Sequence, residues 1–516
     1  MITIIKSTAL HGLEGQMVEV EVDVSRGMPN FDLVGLPDTA VREAKDRVRA
    51  ALKNAGLEFP IKRITVNLAP ANIKKEGPIY DLPIAIGILA ASGQVDPGRC
   101  DGLAFLGELS LNGRVRGITG ALPHTIAALE AGVGGIVVPA ENAGEAALVK
   151  GIKVYPATDL VEIVGFLRGK EPLRPCAAPV LRLQGFDAGG AGDFAEVKGQ
   201  QAAKRALEIA AAGGHNLIMI GSPGSGKTML ARRLPGIMPD LTFPEALEIT
   251  KIHSLSGLLQ GDQPLVSQRP FRSPHHTAST ASITGGGRVP RPGEVSLAHL
   301  GVLFLDEIPE FHKDALEALR QPLEDGVITI ARVNATINYP AATMLVAACN
   351  PCPCGYYGDN GRDCSCTPHQ VERYRSRLSG PLLDRIDLHL EVPRLTYAEI
   401  SANAAGESSA TVKSRVEAAR QRQRRRFSQN PPKSNRFAPP ACNARLQGAA
   451  LKRHCQTTKA AAALLQEAFQ TFAFSARSYD RVLKVARTIA DLDQADQITE
   501  PHLAEALQYR ALDDNR

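Results

Sequence analysis

The spacing of apolar residues changes along the chain and divides it into regions of different pattern. Before about residue 170, short alternating runs are followed by stretches with apolar residues at helical spacing. Residues 18–24 alternate with a period of two, which predicts a strand, and residues 38–54 carry the helical spacing. After residue 394 only the helical spacing remains. The pattern predicts a multidomain α/β protein with a helical C-terminal domain.

A linker separates the first region from the second. Residues 171–192 are rich in Pro, Gly and Ala, a composition typical of linkers. In the second region, apolar runs at 216–220, 302–305 and 344–349 have the length of buried strands. We therefore expect folded domains at 1–170, 193–394 and 395–516.

A complete phosphate-binding loop follows the first of these apolar runs. Its residues are Gly221, Ser222, Pro223, Gly224, Ser225, Gly226, Lys227 and Thr228. The glycines let backbone N–H groups turn towards phosphate oxygens, and the helical pattern that follows supplies the positive end of a helix dipole. Lys227 is placed to reach the β- and γ-phosphates, and the Thr228 hydroxyl to hold Mg²⁺. The loop predicts binding and hydrolysis of a nucleoside triphosphate.

Two carboxylates and an amide follow the other two apolar runs. Asp306 and Glu307 come directly after residues 302–305, and Asn350 comes after residues 344–349. At a nucleotide site the first acid orders Mg²⁺ through water, and the second acts as base on the attacking water. An amide such as Asn350 can orient that water. A core strand with a solvated acidic end is the alternative interpretation.

Arginines further along the chain are candidates for stabilising transition-state charge. Arg385 is a candidate for action on the nucleotide of a neighbouring subunit. It could equally form a structural ion pair with Asp384 or Asp387. Arg477, at the start of a predicted helix, is our choice for an arginine that reaches the phosphates from the helical domain, with Arg481 as the alternative.

Four of the nine cysteines form a cluster in the sequence. Cys352 and Cys354 are followed, after nine residues, by Cys364 and Cys366. Two close pairs of thiolates suit tetrahedral Zn²⁺, and the turn-rich residues between them could bring the pairs together. The Cys-x-Cys spacing is tighter than is usual for zinc, so reduced thiols without a metal are the alternative.

The composition bears on partners and location. The chain of 516 residues has a net charge of +5, too small to establish a nucleic-acid partner, and it contains no Trp. The sequence has no apolar run long enough to span a membrane, and its first residues resemble a strand rather than a signal peptide. We expect a cytoplasmic protein. The basic run 420–426 predicts either a solvated helix face or an auxiliary DNA-binding surface.

The order of phosphate loop, acidic strand, amide strand, arginine and helical domain resembles that of the AAA+ ATPases. The resemblance covers about residues 193–510. It implies a parallel-sheet core, ATP and Mg²⁺ as ligands, and a C-terminal helical lid. It also implies that Val197 and Gln200 lie near the adenine.

Two further segments resemble the magnesium-chelatase and replicative-helicase branch of the AAA+ ATPases. Residues 269–288 are similar to an insertion in the second helix of that domain, and residues 326–338 to a hairpin before the amide strand. In that branch both project into the central pore of a ring. The resemblance implies that arginines in these segments grip DNA phosphates, with ordinary surface arginines as the alternative. The arginines are Arg269, Arg272, Arg288 and Arg332.

The first 170 residues resemble the Lon protease fold, which is an α+β domain. The similarity includes Gly77 and Pro78 before a helix and residues 105–122. A serine–lysine protease needs a hydroxyl beside a lysine of lowered pKa. Ile79 stands where Lon has its serine, and Pro123 where it has its lysine. The resemblance therefore implies a domain without protease activity, used for ring assembly or for holding DNA.

Taken together, these features resemble the bacterial magnesium-chelatase-like ATPases over nearly the whole chain. The resemblance implies a homohexameric ring that uses ATP to move branched DNA with single- and double-stranded arms. It also implies a role in natural transformation and homologous recombination, with recombinase proteins as candidate partners. Two alternatives stay open: a chelatase-type motor that remodels a protein partner, and an ATP-dependent protease, which Ile79 and Pro123 disfavour.

Overall fold

The computed structural model divides the chain into two compact units. One consists of Met1–Arg182 and Ala246–Val266, and the other of Leu183–Glu245 and Ser267–Arg516. Each unit has its own hydrophobic core. The structure describes residues 2–179, 192–259, 263–287, 290–332, 335–359, 361–401, 406–428, 442–472 and 474–510.

The first unit is built on a mixed β-sheet. Its strands are β1 Ile2–His11, β2 Glu14–Ser25, β3 Asn30–Val34, β4 Arg63–Ala69, β5 Leu103–Phe105, β6 Glu108–Leu109, β7 Val115–Arg116, β8 Gly135–Pro139 and β9 Lys153–Ala157. Seven strands form the sheet in the order β3-β4-β2-β1-β5-β8-β9, while β6 pairs with β7. The predicted alternation is confirmed, because Val18, Val20 and Val22 of β2 are fully buried.

Helices connect these strands. They are α1 Thr39–Arg42, α2 Ala44–Asn54, α3 Asp81–Ala91, α4 Ala121–Glu130, α5 Ala143–Ala146 and α6 Leu160–Leu167. Asp38 caps α1 by accepting a hydrogen bond from the Val41 N–H, so the predicted helical stretch begins where its capping residue lies. It is divided into two helices at Glu43. The α3 helix is apolar on all sides and is buried along nearly its whole length, as a central core helix must be.

The second unit contains a parallel sheet. The strands of this unit are β10 Leu217–Ile220, β11 Phe271–Arg272, β12 Gly285–Gly286, β13 Arg291–Pro292, β14 Val302–Leu305, β15 Val327–Arg332, β16 Ala335–Pro340, β17 Met344–Cys349 and β18 Leu388–Glu391. Five of them form the sheet in the order β11-β14-β17-β10-β18, with every neighbouring pair parallel. The three predicted buried strands are its central members. Their carboxyl ends meet at one edge, where the phosphate loop, Asp306 and Asn350 follow.

The remaining helices belong to the second unit, except that most of Phe243–Leu255 lies in the first. They are α7 Gln201–Gly213, α8 Lys227–Ile237, α9 Phe243–Leu255, α10 Thr280–Thr284, α11 Glu294–Leu297, α12 Lys313–Ala318, α13 Arg320–Asp325, α14 Pro368–Arg375, α15 Gly380–Leu383, α16 Tyr397–Ser401, α17 Ser409–Ser428, α18 Gly448–His454, α19 Lys459–Thr471, α20 Ala476–Leu492 and α21 Glu500–Gln508. From α16 onwards the described residues contain helices but no named strand, as predicted. No helix in the described part of the chain combines the length and apolar character that crossing a membrane requires.

The hairpin predicted at 326–338 is present. Strands β15 and β16 are antiparallel, and Arg332 is the last paired residue of the first strand, opposite Ala335. Gly326 adopts a left-handed conformation with φ of 69° between α13 and the hairpin, which favours glycine at this position. The segment predicted as an insertion contains α10 and β12, and β12 pairs with β13 in a two-strand ribbon that lies between α10 and α11.

Two assignments differ from the sequence-based expectations. Residues 269–272 do not belong to an insertion, because Phe271 and Arg272 form the edge strand β11 of the parallel sheet. The Phe271 ring stacks on Phe304 of β14 at 5.8 Å, and so short a strand leaves no periodic pattern in the sequence. Residues 246–266 were expected in the ATPase core but pack within the first unit. There, the Gly120 N–H donates to the Ser254 carbonyl at 3.1 Å.

Candidate nucleotide-hydrolysing site

The phosphate loop has the backbone conformation that its glycines permit. Gly224 and Gly226 have φ of 80° and 92°, in the left-handed region that favours glycine. Gly221 packs so closely against the residue that follows β18 that a Cβ atom there would lie 2.3 Å from the Val392 carbonyl oxygen. The loop leads directly into α8, which begins at Lys227. The backbone N–H groups of this turn can therefore surround an anion at a helix N-terminus.

Lys227 is held inside the loop. Its Nζ donates to the carbonyl oxygens of Gly221 at 2.7 Å and Ser222 at 3.0 Å, and it lies 3.5 Å from the Asn350 Oδ1. Burial lowers the pKa of Lys227, and nearby negative charges partly offset this effect. The ammonium group is therefore held within the turn of the phosphate loop.

The predicted Mg²⁺ ligands are in contact. The Thr228 Oγ1 donates a hydrogen bond of 2.8 Å to the Asp306 Oδ2, which joins the phosphate loop to the end of β14. The chemistry of a hydroxyl beside a carboxylate suits Mg²⁺, which prefers oxygen ligands and retains waters. Thr228 and Asp306 would hold that ion together with phosphate oxygens. The ion would neutralise charge on the triphosphate.

Glu307 has a side chain available for chemistry. It adopts a left-handed backbone conformation with φ of 51°, uncommon for a residue other than glycine, and its side chain is 54% exposed. Its N–H donates to the Asp306 Oδ1 at 3.0 Å. The two neighbouring carboxylates are therefore held in different directions, one towards Thr228 and one towards solvent.

The two residues expected near adenine have different positions. The Gln200 amide donates to the carbonyl oxygens of Ser225 at 3.3 Å and Pro393 at 2.7 Å, so it braces the phosphate loop. The Val197 side chain is fully buried in the core. Gln200 therefore lies beside the phosphate loop, and the proximity of Val197 and Gln200 to the adenine stays a prediction.

His276 is a neighbour of Glu307 that the sequence did not reveal. Its Nδ1 lies 3.9 Å from the Glu307 Oε2. The ring also lies against His275, tilted by 34° with 4.1 Å between centroids, and forms an edge contact with Phe311. The parallel pairing of β11 with β14 brings both histidines to this edge. His276 is placed to orient the candidate base.

We expect His276→Ala to lower the kcat of ATP hydrolysis roughly threefold to tenfold while changing the KM for ATP much less. The reason is that His276 contacts the candidate base and not the phosphate loop. Steady-state ATPase kinetics measure both constants. His276→Gln should recover part of the loss, and the exposed His369→Ala serves as control. Equal kcat in His276→Ala and wild type would show that His276 does not orient Glu307.

A basic cavity lies at the other edge of the parallel sheet. It has a volume of about 320 Å³, and Asn216, Thr343 and Asp387, which precede β10, β17 and β18, contribute to its lining. Five cationic side chains also line it, against three carboxylates. The cations are Arg385, Arg445, Arg477, Arg481 and Lys484.

The candidate arginines differ in how they are held in this cavity. Arg385 forms an ion pair with Glu324 and donates to the Pro381 carbonyl at 2.7 Å, so its partner is neither Asp384 nor Asp387. The Arg481 Nε lies 3.6 Å from the Asp387 Oδ1, whereas Arg477 is exposed. Burial opposes ionisation of Asp387, but the hydrogen bond with His215 and nearby cationic charges outweigh it and lower the pKa.

The position of this cavity separates its arginines from the phosphate loop of the same chain. Strand β10 runs from the cavity edge to the loop edge of the sheet, and a strand of this length spans roughly 16 Å between Asn216 and Gly221. The structure therefore does not bring Arg477 to the phosphates of its own chain. Arg385 and Arg477 share one surface instead.

The four clustered cysteines converge in space. Their sulfur atoms all lie within 4.8 Å of one another, with 3.3 Å between Cys352 and Cys354 and 3.5 Å between Cys354 and Cys364. Sulfurs on a tetrahedral zinc ion are roughly 3.8 Å apart. The Cys354 N–H points to the Cys366 sulfur at 3.4 Å, and the Tyr356 N–H lowers the pKa of Cys354 to about 5. The donor set and its spacing fit Zn²⁺.

The four arginines expected to contact DNA do not form one group. Arg269 donates to the carbonyl oxygens of Pro239 and Leu300, both at 2.6 Å, and its side chain is only 9% exposed, so the structure contradicts its predicted phosphate contact. Arg272 forms a two-point ion pair with Glu294 at 2.7 and 2.8 Å. Arg332 ends β15 beside the hairpin turn, and Arg288 lies outside the described residues.

Comparisons with known proteins identify relatives along nearly the whole chain. Residues 193–400 match the family described as "Magnesium chelatase, subunit ChlI", residues 20–142 match "Subunit ChlI of Mg-chelatase", and residues 406–510 match "Magnesium chelatase, subunit ChlI C-terminal". Protein YifB of Salmonella typhimurium is 47% identical, over 99% of this chain and 97% of its own. Competence protein ComM of Haemophilus influenzae is 46% identical, over 99% of this chain and 98% of its own.

The chain belongs to the magnesium-chelatase-like family that includes these ComM and YifB proteins. A shorter similarity concerns the first unit. Lon protease of Mycolicibacterium smegmatis is 27% identical over 168 residues, which are 30% of this chain and 21% of that protease. Ile79 and Pro123, which we expect at the positions of the protease pair, are apolar and buried.

Proposed function

We propose that the protein is an ATP hydrolase. Its active site lies at the edge of the parallel sheet that carries the phosphate loop. The contact between the Thr228 hydroxyl and Asp306 carries this proposal, because it places the predicted Mg²⁺ ligands together beside Lys227. In the proposed mechanism Lys227 binds the β- and γ-phosphates, and Glu307 accepts a proton from the attacking water. Asn350, 3.5 Å from the Lys227 Nζ, orients that water against the γ-phosphate.

The basic cavity supports a ring in which one chain completes the site of the next. Arg385 and Arg477 lie at the opposite edge of the sheet from the phosphate loop, so a heterologous contact would bring them to a neighbour's nucleotide. In this arrangement Arg385 is the arginine that stabilises transition-state charge, and the C-terminal helices act as a lid that presents Arg477. We propose a homohexamer.

DNA is the proposed substrate of the motor. The ComM relative is named a competence protein, which favours a role in DNA uptake or recombination. The β15–β16 hairpin supports a DNA contact because Arg332 is the last paired residue of its first strand. An arginine near the end of a hairpin can bind DNA phosphates. We propose ATP-driven branch migration on junctions, aiding integration of donor DNA during natural transformation. The four-cysteine cluster is proposed to hold a structural Zn²⁺.

Migration of a synthetic four-way DNA junction by the purified full-length protein with ATP tests this function. Wild type should resolve the junction, and Lys227→Ala should not, because its loop lacks the cation that binds the phosphates. Arg332→Ala should retain basal ATPase activity but lose junction migration at least about tenfold. Lys313→Ala, which removes an exposed cation from the start of α12, is the matched control.

Two results would overturn the proposal. If the junction is not migrated and ATPase activity is the same with and without DNA, the motor acts on another substrate. The chelatase-type alternative, remodelling of a protein partner, would then predict ATPase stimulation by that partner. If Arg332→Ala still migrates the junction, the proposed contact between the hairpin and DNA is wrong. The proposed ATPase activity would not be affected by that result.

A further inference from the structure

The four-cysteine cluster lies in a segment that packs on the phosphate loop. Gly355, one residue after Cys354, is buried with φ of 88°. A Cβ atom at Gly355 would lie 2.7 Å from the Pro223 Cδ, so the glycine is needed for this close approach. The Gly355 N–H donates to the Cys352 carbonyl at 3.0 Å. The same turn thus presents sulfur ligands and contacts Pro223.

A second contact joins the segment to the loop. The nearby Ser222 hydroxyl lowers the pKa of the Asp359 carboxylate, which accepts a hydrogen bond from the Gly361 N–H at 2.7 Å. Ser222 is buried, and its carbonyl oxygen accepts from the Lys227 Nζ at 3.0 Å. Ser222 therefore lies between Asp359 and Lys227, the candidate phosphate-binding residue.

A third connection runs through the chain itself. Asn350 precedes Cys352 by two residues, and its Oδ1 lies 3.5 Å from the Lys227 Nζ. Between Asn350 and α14 the described residues contain no helix or strand, and several side chains there are exposed. Regular backbone hydrogen bonding therefore does not hold this segment in place. The four sulfurs, which gather residues 352–366, are its strongest candidate anchor.

We propose that a Zn²⁺ ion bound by Cys352, Cys354, Cys364 and Cys366 braces the phosphate loop and raises its affinity for nucleotide. This inference rests on the structural Zn²⁺ proposed for the four cysteines and adds a role for that ion. Structural zinc contributes folding free energy to the segment that binds it. Because Gly355 and Asp359 belong to that segment, the metal pre-organises Pro223 and Ser222. A pre-organised loop binds nucleotide more tightly, since less order has to be imposed on binding.

Metal content and nucleotide affinity of the full-length protein test the proposal. Zinc per chain is measured by atomic emission, and the Kd for a fluorescent ADP analogue by titration without DNA. Wild type should contain about one zinc per chain, as one tetrahedral four-sulfur site holds. Cys364→Ser should lose the zinc and raise the Kd roughly tenfold, which is the loss of about 1.4 kcal/mol. Cys176→Ser, outside the cluster, should change neither.

A pair of glycine variants separates the effect of packing on the phosphate loop from the effect of zinc binding. Gly355→Ala should keep the zinc and raise the Kd, because its methyl group meets Pro223. Gly358→Ala is the matched control, since its φ of 77° is similar but a Cβ atom there meets nothing within 4 Å. Circular dichroism shows whether Cys364→Ser folds. If it does not, the comparison of the two glycine variants still tests whether the cysteine segment affects nucleotide affinity.

Two outcomes would overturn the inference. One is a wild-type protein that binds no zinc from a reducing, zinc-supplemented buffer. The other is a Kd in Gly355→Ala equal to that of Gly358→Ala. Because the readout is nucleotide affinity, a failure of junction migration would count against the DNA substrate and leave this result unaffected.

Discussion

Glu307→Gln is expected to bind MgATP with near wild-type affinity and to hydrolyse it roughly 10³-fold more slowly. The amide keeps the size of the side chain but cannot take a proton from water. The nucleotide contacts should survive, because Lys227 and Thr228 are held by other partners, and the Glu307 backbone N–H still donates to Asp306. Binding is measured by titration with a fluorescent ATP analogue, and turnover by phosphate release with and without a DNA junction.

Glu310→Gln is the matched control for this variant. Glu310 lies three residues further on, is 41% exposed and pairs with Arg377 at 2.8 Å, so it tests the loss of a nearby carboxylate. Its turnover should stay within about twofold of wild type, as expected for a surface ion pair. Equal DNA-stimulated turnover in Glu307→Gln and wild type would show that another group acts as base.

The phosphate-binding edge could be predicted because its signals are local. A buried strand, a glycine-rich turn and a helix occupy adjacent residues around Lys227, and Asp306 and Asn350 each end an apolar run. In parallel strands such ends meet at one edge, as the pairing of β10, β14 and β17 shows. The cysteine pairs were visible for the same reason, since their spacing is short.

What could not be predicted depends on pairings between distant residues. The edge strand β11 is two residues long, so nothing in its pattern placed His276 near Glu307 or Arg272 beside Glu294. An arginine in sequence also carries no sign of burial. Arg269 looked like a phosphate ligand, yet it binds two backbone carbonyls in the interior. Likewise, the packing of Gly355 on Pro223 is a property of the folded loop alone.

Arg385→Ala is expected to lower ATP turnover roughly 10³-fold, in the range found when an arginine that stabilises phosphoryl-transfer charge is removed. The position of Arg385 is the basis for the proposal that it acts on a neighbouring subunit. Its guanidinium is fixed by Glu324 and the Arg320 and Pro381 carbonyls at the sheet edge opposite the phosphate loop. Nucleotide affinity of the variant should change much less than turnover. Arg422→Ala, which removes an arginine paired with Asp496 at 2.7 Å, is the control.

Mixing two inactive variants decides whether Arg385 acts on its own nucleotide or on a neighbour's. An Arg385→Ala chain keeps its phosphate loop, and a Lys227→Ala chain keeps its arginine. If the arginine acts across the subunit contact, an equal mixture restores activity at about a quarter of the contacts in a heterologous ring. If it acts within the chain, every subunit stays defective and no ratio restores turnover. Phosphate release is measured across a series of mixing ratios. Turnover that stays at the level of the single variants at every ratio would refute the proposed shared site.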